Sequence, residues 1–177
     1  MLLAAAHLSF RRGWHIVRLK VALGLPGETA DDMQSLAALA RQVRDIGRTE
    51  ANGRAQVQVV ALGFVPRAHG PWQRQALPGE EEWEQHLAIL KQGLRGPGLR
   101  VSWQVQTRAV EAALARGDRR LSTVIENAWR AGMRRPQDSS DFAAWQSAFA
   151  TAGLDVSAGL RARPEPEILP WSHLWIA

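Results

Sequence analysis

Ile16-Val17-Arg18-Leu19-Lys20-Val21-Ala22-Leu23-Gly24-Leu25-Pro26-Gly27-Glu28-Thr29 decides how this chain is read. Residues 16–25 are largely apolar and read as a buried strand. Gly24 to Thr29 then forms a turn. Thr29 is a good N-cap, with Asp32 three residues on and Asp31 beside it in the positively polarised first turn of a helix. A strand running straight into a helix N-terminus is the recurring joint of α/β proteins.

Downstream, Met33, Leu36, Ala37, Ala40 and Val43 recur at helical spacing, so the helix is expected to reach about Ile46 and to stop at Gly47. Residues 48–54 are polar and read as a loop. Gln56 to Phe64 reads as a second strand, with Val57, Val59 and Ala61 on its more buried face. A Pro-, Gly-, Gln- and His-rich segment from Val65 to Gly79 follows, and so long a loop in a compact domain is often functional. Glu80-Glu81-Glu82 opens another helix, bearing Trp83, Leu87, Leu90 and Leu94 and broken by Gly96-Pro97-Gly98. Leu99 to Val105 alternates strictly as a third strand, with Leu99, Val101, Trp103 and Val105 on one face.

Upstream, Leu3, Ala6 and Phe10 mark a first helix, with Arg11 and Arg12 at its negative end and Gly13 as its stop. The basic pair follows the apolar run, which is the wrong order for a secretory signal. No run approaches the ~20 apolar residues of a membrane span. The expected compartment is the cytoplasm. Residues 1–105 thus alternate helix and strand three times, which implies a parallel sheet with helical crossovers. Three parallel strands close no barrel, so this pattern reads as a piece of a larger α/β fold.

Residues 106–177 differ. Three amphipathic helices are expected, Thr107 to Arg116, Asp118 to Ala131 and Ser140 to Ala152, each stopped by a glycine: Gly117, Gly132 and Gly153. Asp118 is expected to cap the second of them. An extended tail from Pro164 carries Trp171 and Trp175 as docking side chains.

Composition bounds the chemistry. The 177 residues contain no cysteine, which excludes disulfides, a catalytic thiol and cysteine ligands to an iron–sulfur cluster. Net charge is +5, and the 22 basic residues divide into 20 Arg and 2 Lys. With Tyr absent, that imbalance matches the codon usage of a GC-rich genome, so the high isoelectric point is weak support for nucleic-acid binding. One basic stretch, Arg108 to Arg135, holds seven Arg against three acids. It is either a solvated helical face or a surface for RNA or a protein partner. Arg116-Gly117-Asp118-Arg119-Arg120 within it reads as an exposed turn, the alternative being an Arg cluster that grips an acidic partner.

The turn Gly24-Leu25-Pro26-Gly27-Glu28-Thr29 is the sharpest chemical feature. It lies where parallel α/β folds bind ligands, with glycines permitting close approach and Glu28 supplying an acceptor. The alternative is a plain strand–helix turn with a capping acid. It is neither a Walker A loop nor a dinucleotide fingerprint. His7, His15, His69, His86 and His173 are scattered without metal-ligand spacing. His69 stands beside Arg67 in the long loop, either to meet a ligand or to bond the loop backbone. No Gly-x-Ser-x-Gly elbow is present.

Four segments carry a family resemblance. Leu19-Lys20-Val21-Ala22-Leu23-Gly24-Leu25-Pro26-Gly27-Glu28-Thr29 resembles the strand and turn of radical SAM enzymes. Gly63-Phe64-Val65-Pro66-Arg67-Ala68-His69-Gly70-Pro71-Trp72-Gln73 is similar to the family phrase PFVPKPHTPFQW. Ala115-Arg116-Gly117-Asp118-Arg119-Arg120-Leu121, within Glu111 to Gly132, resembles the start of a C-terminal extension. Leu169-Pro170-Trp171-Ser172-His173 resembles its closing LPWDHI. Together they resemble the cobalamin-binding-type radical SAM proteins that carry this extension. The resemblance implies the C-terminal strands of a partial (βα)6 TIM-type barrel over 1–105, followed by a small all-α extension over 106–177. It implies S-adenosylmethionine near Gly24, Pro26, Gly27 and Glu28, and a substrate-side loop carrying Arg67 and His69. It also implies a 4Fe–4S cluster, whose CxxxCxxC loop is absent here, and a cobalamin-type N-terminal domain, also absent. The implied partner is the missing N-terminal part, in cis or in trans, without which the chain is not catalytic.

Overall fold

The structure, a computed structural model, describes residues 1–103, 108–134 and 141–174. The chain divides into two compact units: Met1–Gly63 with Pro78–Gln104, and Phe64–Leu77 with Val105–Ala177. The long loop 64–77 therefore belongs with the helical C-terminal part.

The first unit runs α1 (Leu2–Arg11), β1 (Ile16–Leu23), α2 (Ala30–Glu50), β2 (Gln56–Gly63), α3 (Glu80–Gly93) and β3 (Leu99–Trp103). The strands form one sheet in the order β1-β2-β3, parallel throughout. Register pairs Val17 with Val57 and Val57 with Leu99, and Leu19 with Val59 and Val59 with Val101. Side chains alternate across a strand, so these residues share one face. That face packs on Ala6 and Phe10 of α1, Met33, Ala37, Ala40 and Val43 of α2, and Trp83, Leu87 and Leu90 of α3 in a single core. All three helices therefore cover the same side of the sheet.

The other side carries Arg18, Lys20, Gln56, Gln58, Arg100 and Ser102 together with Ile16, Ala22, Val60 and Leu62, and its Arg and Lys residues are exposed. The expectation of a buried β1 is corrected here: its exposure alternates residue by residue. Arg18 and Lys20 interrupt the apolar run at period two, which is the mark of a half-covered strand.

The start of α2 follows its sequence signal. Thr29 Oγ1 accepts from the Asp32 N–H, and Asp32 accepts from the Thr29 N–H at 2.8 Å, a complete capping box. Its end does not. The helix passes through Gly47 to Glu50. Gly47 is buried, and a Cβ there would lie 2.5 Å from Phe10 Cζ and 2.5 Å from Ala55 Cβ. Close packing of α1 and the start of β2 requires that glycine, so it is a contact point and not a stop.

The second unit contains α4 (Arg108–Ala115), α5 (Leu121–Arg130), α6 (Phe142–Thr151) and a 3₁₀ turn at Val156–Gly159 that the periodicity did not reveal. Ala113, Val124, Ala128, Ala148, Phe149 and Val156 form its core. Gly132 and Gly153 follow α5 and α6 at positive φ, as expected of helix stops. Asp118 does not cap α5. Its carboxylate accepts from the N–H and the guanidinium of Arg120 instead. Asp141 caps α6, accepting from the Ala144 N–H at 3.0 Å. Val105, Thr107, Arg135, Ser140 and Trp175 lie outside the described residues.

Candidate functional site

At the carboxyl end of β1 the chain turns on Leu25-Pro26-Gly27-Glu28. The Glu28 N–H donates to the Leu25 carbonyl at 3.0 Å, and Gly27 has φ of 83°. Proline second and glycine at positive φ third are the requirements of a type II turn. The turn brings the Glu28 side chain back beneath the strand end. Its Oε2 accepts from the Gly24 N–H at 2.5 Å and lies 3.2 Å from His86 Nδ1. A carboxylate only accepts, so Nδ1 carries the hydrogen in this contact. Both side chains are largely buried, at 7% exposure for Glu28 and 11% for His86.

Gly24, Pro26, Gly27 and Glu28 are thus brought together, but the group is closed on itself. The Gly24 amide is spent on Glu28 Oε2, which also meets His86. His86 was not singled out among the scattered histidines. The signal for it was present: Trp83, His86, Leu87 and Leu90 are the buried positions of α3, and an imidazole on an apolar face needs a polar partner.

The loop from Phe64 to Leu77 carries Arg67 and His69 in the second unit. Arg67 is exposed and ion-paired with Glu111 of α4. His69 is exposed, has φ of 59°, and donates its backbone N–H to Gln73 Oε1 at 3.1 Å. A non-glycine residue in that region costs about 1–3 kcal/mol and persists only where its surroundings hold it. Phe64 and Trp72 meet edge-to-face at 5.7 Å. Gln73 Oε1 also accepts from Trp171 Nε1 at 2.6 Å, docking the tail on the loop.

The main anchor of this loop is Arg116, fully buried rather than in an exposed turn. Its guanidinium donates to the carbonyls of Gln73, Gln75, Gly159 and Arg161. Desolvation, with the nearby charges of Arg163 and Arg161, lowers it to about 10, still cationic at neutral pH. No periodicity rule distinguishes it from the neighbouring surface arginines, because its partners are backbone carbonyls distant in sequence.

Beside Arg116 is a cavity of about 300 Å³ lined by Arg120, Leu121, Phe149, Arg161, Arg163 and Glu167, among others. Most of its charges are paired, with Arg161 and Arg163 sharing Glu167. Arg120 grips Asp118 at 2.7 Å, Arg161 grips both oxygens of Glu167 at 2.7 and 2.9 Å, and Arg163 reaches Glu167 at 3.3 Å. The Arg120 hydrogen bonds hold the Asp118 carboxyl down at about 2. Hydrogen bonding by Arg161 likewise lowers Glu167.

The same accounting divides the basic stretch from Arg108 to Arg135. Arg108 and Arg116 are buried, Arg120 is paired with Asp118 and Arg130 with Glu126, and Arg134 lies 4.7 Å over the Trp129 ring. Arg119 is exposed. Two of the arginines are therefore internal to the fold.

No helix among the described residues is long and apolar enough to cross a membrane. Among the described residues no three His, Asp or Glu side chains are grouped as a metal site. The chain matches no protein-family model, no curated protein and no solved structure.

Proposed function

We propose that the chain is the C-terminal part of a radical SAM enzyme, contributing a barrel sector and a helical appendix and requiring a separate or upstream part for activity. One observation supports the reading beyond the resemblance of motifs. The three helices of the first unit all pack on one face of a parallel sheet, and the opposite face, which mixes charged, amide and aliphatic side chains, carries none of them. A doubly wound sheet is covered by helices on both faces, whereas a barrel carries helices only outside. A sector of such a barrel would present a helix-free inner face when taken alone.

A cysteine-ligated cluster does not fit, because the chain contains no cysteine. The Gly24 amide donates to Glu28 Oε2 and is not free to meet S-adenosylmethionine, so the turn as it stands does not offer that amide as a ligand contact. The cluster, and any cobalamin, would be held by the other part of the enzyme. What this chain supplies is its strands, its appendix and the loop with Arg67 and His69.

The test is to read the DNA upstream and any neighbouring open frame for a CxxxCxxC segment, then to co-express it with this chain. The expected result is a co-purifying complex that contains iron and sulfide and cleaves S-adenosylmethionine when reduced. Absence of a cysteine-bearing segment in cis and in trans overturns the reading.

A further inference from the structure

The uncovered face of the sheet has a chemistry of its own. Register places Arg18, Gln58 and Arg100 side by side across the three strands, with Lys20, Val60 and Ser102 in the next row on this face. Arg18 Nε donates to Gln58 Oε1 at 2.9 Å, and Gln58 Nε2 donates to Ser102 Oγ at 3.4 Å. This ladder consumes the Gln58 carbonyl, the main side-chain acceptor in the row. It leaves the outer fork of Arg18, the Ser102 hydroxyl hydrogen, the Lys20 ammonium and the Arg100 guanidinium as donors. Among the described residues no carboxylate forms an ion pair with Arg18, Lys20 or Arg100. By contrast, Arg120, Arg130 and Arg161 each have one.

We propose that this face binds a small molecule bearing phosphate groups. Adjacent cations without a carboxylate partner favour an anion. The cations stand on β1 and β3, about 10 Å apart across the sheet, and Lys20 is about 7 Å along β1 from Arg18. Arg and Lys side chains are long enough to reach one or two adjacent phosphates over that span. Among the described residues of the three strands this face carries no aromatic ring, since Trp103 is on the helix-covered side under Lys91. It therefore has no platform for stacked bases, which separates a small phosphorylated ligand from single-stranded nucleic acid. The proposal holds whether or not the chain belongs to a larger barrel.

The test uses the full chain and inorganic pyrophosphate, followed by titration calorimetry and by amide shifts in NMR. Saturable binding is expected, with shifts centred on β1, β2 and β3. Arg18→Gln, Lys20→Gln and Arg100→Gln should each weaken it at least tenfold. Arg48→Gln and Arg95→Gln, exposed arginines off this face, should leave it unchanged. Matched melting curves verify that the variants are folded. Three outcomes overturn the proposal: no saturable binding, equal losses in the control variants, or binding of a single-stranded oligonucleotide but not of pyrophosphate.

Discussion

Arg116 and Gly159 are joined by two hydrogen bonds from one guanidinium to one carbonyl, Nε at 3.0 Å and Nη2 at 2.5 Å. They meet because Gly159 has no side chain: a Cβ there would lie 2.6 Å from Ala113 Cα on α4. The pair ties α4 to the 3₁₀ turn, and the remaining donors of Arg116 hold the loop 64–77 against the same point. Arg116→Met keeps the bulk and removes the donors, leaving carbonyls of Gln73, Gln75, Gly159 and Arg161 short of partners. The expected loss is about 2–4 kcal/mol in urea unfolding of the second unit. Arg116→Lys should recover only part, because an ammonium lacks the planar fork. A loss below about 0.5 kcal/mol for the Met variant would show that the anchor is dispensable.

Gly47→Ala offers a test in which two effects oppose. In a helix interior the change ordinarily gains about 1 kcal/mol. Here the new methyl would collide with Phe10 and Ala55. Overpacking costs about 1–3 kcal/mol and should prevail. Phe10→Leu in the same background should recover part of the loss, giving a coupling above about 0.5 kcal/mol in a double-mutant cycle. A stabilised single variant would place Gly47 as a simple weak point of α2.

The buried Glu28 carboxylate is needed by Gly24 and His86 rather than by solvent. Glu28→Ala removes the acceptor for both and should cost about 1–3 kcal/mol. Glu28→Gln keeps one carbonyl oxygen and should cost less. Thermal melts of the two variants decide the order; equal losses would mean that the charge, not the acceptor, matters.

Asp118 predicts an acid-side effect. Its folded-state value is held near 2, below the ordinary 3.8, by Arg120. A depressed carboxyl stabilises the fold above its unfolded value, and that contribution fades as pH falls from about 4 through about 2. The gap in denaturant midpoint between the wild type and Asp118→Asn should be constant above about pH 5 and close on acidification. A carbon-detected titration of the Asp118 carboxyl with its midpoint near 4 would contradict the assignment.

Much of the first unit was readable from local pattern. The alternation of strands and helices, the Thr29 capping box and the Pro-Gly turn depend on residues within a few positions of one another. The stop assigned to Gly47 failed because a buried glycine and a terminal glycine look alike until the contact partner is known. Asp118 failed for a related reason: an acid before a helix can cap it or bind a neighbouring arginine, and Arg120 was within reach.

The sequence by itself determined the parallel α/β order, the amphipathic helices beyond it and the exclusion of cysteine chemistry. Those follow from short-range periodicity and composition, which need no knowledge of long-range contacts. Only the tertiary structure decided that all three helices cover one side of the sheet, that Glu28 is turned in on Gly24 and His86, and that Arg116 is buried. Each of these depends on residues brought together from far apart in the chain, such as Glu28 with His86 and Arg116 with Gly159. Burial of a charge is settled by whether distant carbonyls arrive to satisfy it, and one-dimensional spacing carries no trace of that.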